Sequence, residues 1–291
     1  MKETLIGITY LLISFLGLTM ILLVNYIIVK TTVFFKSSAY KLLVQLNFTL
    51  LMQIFVHILT STKTLFRLTF RDWEEKAIGA VLNFTWMGTM TLNFVLALDR
   101  FYIIVASTKF NRSKWIVLII TVISWLPATI LFAIDLSPFT GYVFDIIEND
   151  WLYLDGPWTH FAQIFEQSVT FSTLISSFVL YLLIIAYVLK HSRSNCEIRI
   201  LLISSISFFY VLVEECFYQF GASWMDRSEI VETAVNTAFT GYPLFCQVVH
   251  LTFNRKIRSL ILQRLCSIKS HNCQVVQVSA YVSNQKKACY K

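Results

Sequence analysis

Charge is scarce in this chain. Only 14% of its 291 residues are Asp, Glu, Lys or Arg, against about 25% in an ordinary soluble domain. Glycine and proline are scarce as well, at 8 and 4 residues, which excludes a collagen-like fibre and a Pro/Gly-rich disordered chain. No 20–50-residue repeat is present, so a solenoid or propeller is excluded too. What fills the chain is apolar. Such residues make up 56% of it, with 25 Phe, 13 Tyr and 7 Trp, and the mean hydropathy is +0.65. A soluble domain of this length has no single core able to hide that surface, so the composition is that of a polytopic membrane protein.

A helix needs about 20 mostly apolar residues to cross the hydrocarbon of a bilayer. Seven stretches qualify: 5–29, 42–59, 77–104, 115–134, 161–189, 198–220 and 230–253. Their apolar character is continuous, without period-2 alternation, so they read as helices and not as barrel strands. Only Lys2 and Glu3 precede the first stretch, and it is too long for a signal core, so it is expected to be retained as a span. The longest loop is roughly 135–160, and no soluble domain is expected.

The few charges are distributed unevenly. The loops 30–41, 104–114 and 190–199, with the tail from Asn254, hold 17 Lys+Arg and one acid, Glu197. The N-terminus and the other loops, with the adjacent Glu232, hold six Lys+Arg and most of the acids. The positive-inside rule therefore places the first set in the cytoplasm and the N-terminus outside. The basic tail anchors that topology, and contact with anionic headgroups is an added possibility. Nothing points to a nucleic-acid partner.

The outer loops contain no cysteine, so they have no disulfide framework. Cys216 and Cys246 lie within spans and read as packing residues. Cys196, Cys266, Cys273 and Cys289 fall on the cytoplasmic side. Cys266 follows a short basic amphipathic stretch and is a candidate for S-palmitoylation, with an unmodified thiol the plainer alternative. The sequons at Asn47, Asn83 and Asn111 fall in spans or in the cytoplasm and make poor glycan acceptors.

The third stretch ends Leu96-Ala97-Leu98-Asp99-Arg100-Phe101-Tyr102. An acid beside an Arg at an inner helix end can be an interfacial anchor, with Arg100 snorkelling to water. It can also be a switch, releasing Arg100 to a partner when the bundle opens. The fourth stretch carries Trp125 and Pro127. The seventh ends Gly241-Tyr242-Pro243-Leu244-Phe245-Cys246 and runs on through Phe253-Asn254-Arg255-Lys256-Ile257-Arg258.

In these segments the chain resembles the G-protein-coupled receptors. Asp99-Arg100-Phe101 stands where they carry an Asp-Arg-Tyr-type triplet. The Tyr242-Pro243 segment looks like their Asn-Pro-x-x-Tyr motif leading into a short basic eighth helix. The Leu-Asp-Arg-Phe and Phe-Asn-x-x-x-Arg motifs, with the short N-terminus, look most like the nematode serpentine chemoreceptors of the Str, Srx, Srt and Srv type. The resemblance implies an all-α membrane protein, a seven-transmembrane helix bundle over 1–265 with the N-terminus outside. An eighth helix at about 254–265 and a cytoplasmic tail at 266–291 would follow. It implies a small extracellular ligand, a heterotrimeric G protein and no cofactor. The expected location is the plasma membrane, with the ciliary membrane of sensory neurons as one place for it. Asp99, Arg100 and Pro243 would form the activation switch. Arg100, Lys109, Arg112, Lys114, Arg193 and Arg255 would meet the G protein.

Three departures bear on mechanism. No Cys stands at the outer end of the third stretch, the second has no Asp for sodium, and the sixth has no Cys-Trp-x-Pro. The seventh has no Lys to form a retinal Schiff base.

The ligand pocket is expected at the outer end, between spans three, five, six and seven. Polar groups within spans avoid lipid, and the candidates are Asn83, Trp86, Glu166, Gln167, Glu214, Glu215, Gln219 and Asn236. Glu214 lies about 16 residues, roughly 24 Å, from the inner end of its helix. Glu214 and Glu215 point about 100° apart, so both cannot face the centre equally. The plainer reading of Glu166 is a hydrated interfacial acid, and for the Glu214/Glu215 pair that reading is evenly weighed. Asn25, Asn93, Gln247 and His250 are expected in interhelical hydrogen bonds, and His250 has no second metal ligand placed beside it. The loop at 135–160 could be an acidic, aromatic lid, but a solvated loop with interfacial aromatics is favoured.

Other functions fit less well. A transporter predicts repeats and paired helix breaks, which are absent. A ligand-gated cation channel of the insect-receptor type would place the N-terminus inside. An intramembrane enzyme needs a placed catalytic pair or metal cluster, and no such motif occurs.

Overall fold

The computed structural model describes residues 2–31, 38–106, 114–146, 149–191, 195–224 and 229–267. Helix α1 is Lys2–Lys30, α2 is Ser38–Phe66, and α3 is Asp72–Phe101, prolonged by a π-helical turn at Tyr102–Ala106. Helix α4 comes in two segments, Lys114–Ser124 and Leu126–Leu136. Strands β1 (Tyr142–Asp145) and β2 (Asp150–Tyr153) follow, then α5 (Thr159–His191), α6 (Asn195–Trp224), α7 (Glu229–Phe253) and α8 (Arg255–Ser267).

Among the described residues, five helices (α1 to α5) are long and apolar enough to cross a membrane. Helices α6 and α7 are also long, at 30 and 25 residues, and they bond to α3 in the same bundle. Helix α3 is its axis: 72% of its apolar window is buried, against 28% for α5 and 33% for α1. The outer faces of α1 and α5 expose Leu12, Leu16, Ile175, Leu182 and Leu189, a surface that suits lipid. The core joins Ile21 and Ile28 of α1, Leu50 of α2, Met90 of α3 and Tyr242 of α7.

Amides lock this core. Asn47 donates to Asn25 Oδ1 at 2.7 Å, and Gln247 Nε2 donates to Asn47 Oδ1 at 2.9 Å, tying α1, α2 and α7. Asn93 Nδ2 donates to the Tyr242 hydroxyl at 3.2 Å, tying α3 to α7. In a low-dielectric interior such chains specify register more than they add stability.

One helix end and one helix interior differ from the sequence expectation. The second stretch was expected to end at residue 59, with 60–76 as a loop, but α2 continues to Phe66. Thr60, Ser61, Thr62 and Thr64 bond back to carbonyls one turn earlier, which satisfies their hydroxyls within the helix. Lys63 is buried there, paired with Glu75 Oε1 at 2.6 Å and donating to Phe144 O at 3.1 Å. Arg67 takes a left-handed φ of 50°, and the Leu68 N–H returns to Lys63 O, closing the helix. In α4, Pro127 lies in the first turn of the second segment, where its missing N–H breaks the helix at Trp125.

The described residues form a helical bundle, with one short hairpin in the loop between α4 and α5. Tyr142↔Tyr153, Val143↔Leu152, Phe144↔Trp151 and Asp145↔Asp150 pair as an antiparallel hairpin. Alternating aromatic residues give it an apolar face, and it packs onto α3 through Leu82, Tyr142, Phe144 and Trp151. Gly79 permits that approach, since a Cβ there would overlap the Tyr142 carbonyl.

At the opposite end, Asn254 stands between α7 and α8. Its side-chain oxygen accepts the Ile257 N–H at 3.3 Å, a helix N-cap, and its amide reaches Tyr40 Oη at 3.3 Å. Arg258 turns back to Thr252 O at 2.9 Å. The Phe-Asn-x-x-x-Arg motif is thus the joint between two helices.

Candidate functional site

The hairpin caps one end of the bundle, and beneath it lies a small cavity lined by acids, amides and aromatic rings. Six of the eight sequence candidates meet there: Asn83 and Trp86 of α3, Glu166 of α5, Glu214 and Glu215 of α6, and Asn236 of α7. Gln167 and Gln219 do not line it. They bond each other at 2.8 Å on the exposed seam between α5 and α6, Gln167 about 100° around its helix from Glu166 and Gln219 one turn beyond Glu215.

The site's polar groups form a directed chain. Asn83 has two amide hydrogens and spends both, on Asp135 Oδ2 at 2.9 Å and on the Tyr153 hydroxyl at 2.8 Å. Tyr153 in turn donates to Glu166 Oε2 at 2.5 Å. The chain joins α3, α4, the hairpin and α5, and ends on a carboxyl at each side. A second chain holds the hairpin to α6. Tyr218 donates to Trp151 O at 3.3 Å, so the Tyr142 hydroxyl, 2.9 Å away, is the donor to Tyr218. Burial pushes the Tyr142 and Tyr153 hydroxyls well above the ordinary phenol range, so both stay protonated and keep donating. Asn236 Nδ2 donates to Asn149 O, fixing the hairpin turn to α7.

Trp86 sits at the cavity floor. Its indole N–H donates to Glu215 Oε1 at 2.8 Å. Its ring meets Phe239 edge-on at 4.7 Å and Tyr242 at 5.8 Å. Tyr242 also stacks on Tyr210 at 5.7 Å, and Tyr210 Oη donates to Ala238 O at 2.7 Å. These contacts surround the α7 turn where Pro243 deletes a backbone N–H. One indole therefore touches α3, α6 and the weakest turn of α7.

The acids are more buried than the interfacial reading allowed: Glu166 is 6% exposed, Glu214 6% and Glu215 2%. The 100° between Glu214 and Glu215 separates their neighbours. Glu215 turns to Trp86, whereas Glu214 borders both the cavity and the outer seam with α7.

The switch candidates do not form one cluster. Asp99 is buried at the far end of α3, and Arg100 beside it lies close enough to His250 for their charges to interact. Pro243 stands instead at the level of Asn93, about 9 Å along the axis from Asp99. Lys109, Arg112 and Arg193 lie outside the described residues, as do the side chains of Lys114, Arg255 and Cys266 and the tail beyond 267.

The sequence does not single out Asp135, and it favours a solvated loop over an aromatic lid for Tyr142, Trp151 and Tyr153, which the structure buries against the bundle. Asp135, fully buried, falls in the span's last turn and not in the loop. Tyr142, Trp151 and Tyr153 belong to the hairpin. Their signal was the alternation of aromatic and smaller or acidic residues in Tyr142–Asp145 and Asp150–Tyr153.

In sequence, the chain matches no family model and no curated protein. In structure, it is similar to squid rhodopsin, with a TM-score of 0.79 at 15% identity, over 97% of this chain and 90% of the rhodopsin chain. The likeness is one of fold: the chain is a helical bundle of the membrane type with the rhodopsin architecture.

Proposed function

We propose that the chain is a seven-helix G-protein-coupled receptor with a chemosensory role, of the nematode serpentine type, in the plasma membrane with its N-terminus outside. The observation that carries this reading is the cluster of buried acids and amides under the hairpin, where Trp86 contacts both α6 and the Pro243 turn of α7. Rhodopsin-like architecture and the charge asymmetry of the loops support it.

The mechanism is a population shift. A ligand bound at this end of the bundle perturbs Glu215 and Phe239, the groups that hold Trp86. It favours whichever packing of α6 and α7 against α3 gives it more contacts. Moving a bundle from 1:99 to 99:1 takes a preference of about 5.5 kcal/mol, within reach of one ionic hydrogen bond and one buried ring. At the other end the shift frees Arg100 from the Asp99 and His250 neighbourhood to meet a heterotrimeric G protein. Lys109, Arg112, Lys114, Arg193 and Arg255 supply a basic docking rim, and palmitoylated Cys266 would pin α8 to the bilayer.

The test is a panel of small ligands on cells expressing the chain, with second-messenger and ion-current readouts recorded separately. The reading expects a second-messenger response that needs a G protein. A ligand-gated current in cells without one would replace it with a channel.

A further inference from the structure

Resting on that receptor reading, we propose that the ligand is an amphiphilic amine that enters from the bilayer between α6 and α7 and sets its nitrogen against Glu214.

Among the described residues, the hairpin end leaves little room. Tyr142, Trp151 and Tyr218 close it, and about 20 Å³ of free space remains inside, room for roughly one water. The seam between α6 and α7 is open. It forms a groove of about 640 Å³, the size of a small-molecule site. Its walls include Phe209, Val213 and Phe217 on α6 and Val231, Ala234 and Ala238 on α7. Phe209, Val213 and Phe217 are among the exposed large apolar residues of the bundle, so the groove faces the lipid.

Groove and inner cavity share two residues, Glu214 and Val235. Glu214 is the acid of a groove otherwise walled by apolar residues and Tyr210. It is more than nine-tenths buried, and its Oε2 has no hydrogen-bond partner among the described residues. Tyr210, the nearby groove hydroxyl, is committed to Ala238 O. A buried carboxyl oxygen without a donor is costly, and an incoming N–H group satisfies it. The sign of the ligand follows from the surroundings. Asp150, Glu166, Glu214 and Glu215 line the inner cavity, and among its described lining residues there is no Lys or Arg. Phe209, Phe217 and Phe245 also line the groove, and aromatic rings attract cations. The apolar groove selects the tail, and the carboxyl selects the head.

The experiment uses the full chain in phosphatidylcholine nanodiscs with two photoreactive probes, a diazirine-bearing dodecylamine and the matching dodecanol. Labelled peptides are mapped by mass spectrometry. The amine is expected to label 209–217 and 231–238 about tenfold more than the alcohol does. Glu214→Gln should lower that labelling about tenfold. Ala234→Trp, which fills the groove at an exposed position and leaves Glu214 in place, should lower it similarly. Equal labelling by both probes, labelling unchanged in both variants, or label confined to the hairpin would each overturn the proposal. Second-messenger assays separate it from the receptor reading. Glu214-dependent labelling without any cellular response removes the receptor and keeps the amine groove. A response to a water-soluble amine with no groove labelling does the reverse.

Discussion

The indole N–H of Trp86 donates to Glu215 Oε1 at 2.8 Å, and both side chains are buried, at 6% and 2% exposure. This bond joins the axial helix α3 to α6 directly above the Pro243 turn. Trp86→Phe keeps most of the ring contact and deletes one donor to a buried carboxyl. A loss of about 1–2 kcal/mol is expected, seen as a lower thermal unfolding midpoint in detergent. Glu215→Gln retains an acceptor oxygen and should cost less. Equal stability of Trp86→Phe and the parent would remove the bond from the account.

Gly79 and Gly241 make a matched pair for testing the hairpin. In a helix interior, Gly to Ala ordinarily stabilises by about 0.5–1 kcal/mol. At Gly241 an added Cβ meets only Tyr210 Oη at 3.7 Å, so Gly241→Ala should be neutral or stabilising. At Gly79 the Cβ would overlap the Tyr142 carbonyl, so Gly79→Ala should destabilise and detach the hairpin. Protease cleavage within 142–153 reads this: faster in Gly79→Ala, unchanged in Gly241→Ala.

Lys63 and Glu75 form a pair 2.6 Å apart, with side chains 6% and 25% exposed. Lys63→Met should cost about 1–2 kcal/mol, because it strands a carboxylate that water only partly reaches. Glu75→Gln should cost less in the Lys63→Met background than alone. A double-mutant cycle of thermal midpoints checks the coupling, and additive effects would contradict it.

Asn254→Ala removes the N-cap of α8 and the bond to Tyr40. The expected loss is about 1 kcal/mol of local stability, or roughly fivefold faster amide exchange over 255–267. Exchange in α3 should not change. Uniformly faster exchange would mean that Asn254 supports the whole bundle instead.

Much of this was legible in the sequence, for reasons that differ by element. Spans show as long apolar runs, and the bilayer makes polar exceptions within them conspicuous. That is why Asn83, Glu166, Glu214, Glu215 and Asn236 stood out, and they do share one cavity wall. Orientation around a helix is harder. Gln167 and Gln219 are as polar as their neighbours, and only the packing of α5 on α6 turns them outward. Asp135 and Lys63 were read as loop charges because hydropathy marks a span's apolar part and not its helical end. Both lie in final turns that continue beneath the hairpin. The hairpin itself was hidden by length, since two four-residue strands inside a long loop give little signal until their aromatic faces find α3. The Phe-Asn-x-x-x-Arg motif was visible as a resemblance, but its role as a joint follows only from where Asn254 and Arg258 place their bonds.

The central claim is that the hairpin end is coupled to the Arg100 end of the bundle. The most direct measurement compares the parent with Arg100→Ala at matched surface expression, using any panel ligand that elicits a second-messenger response. The account predicts that the variant reaches the surface and binds the ligand but gives no response. Undiminished signalling by Arg100→Ala would contradict it.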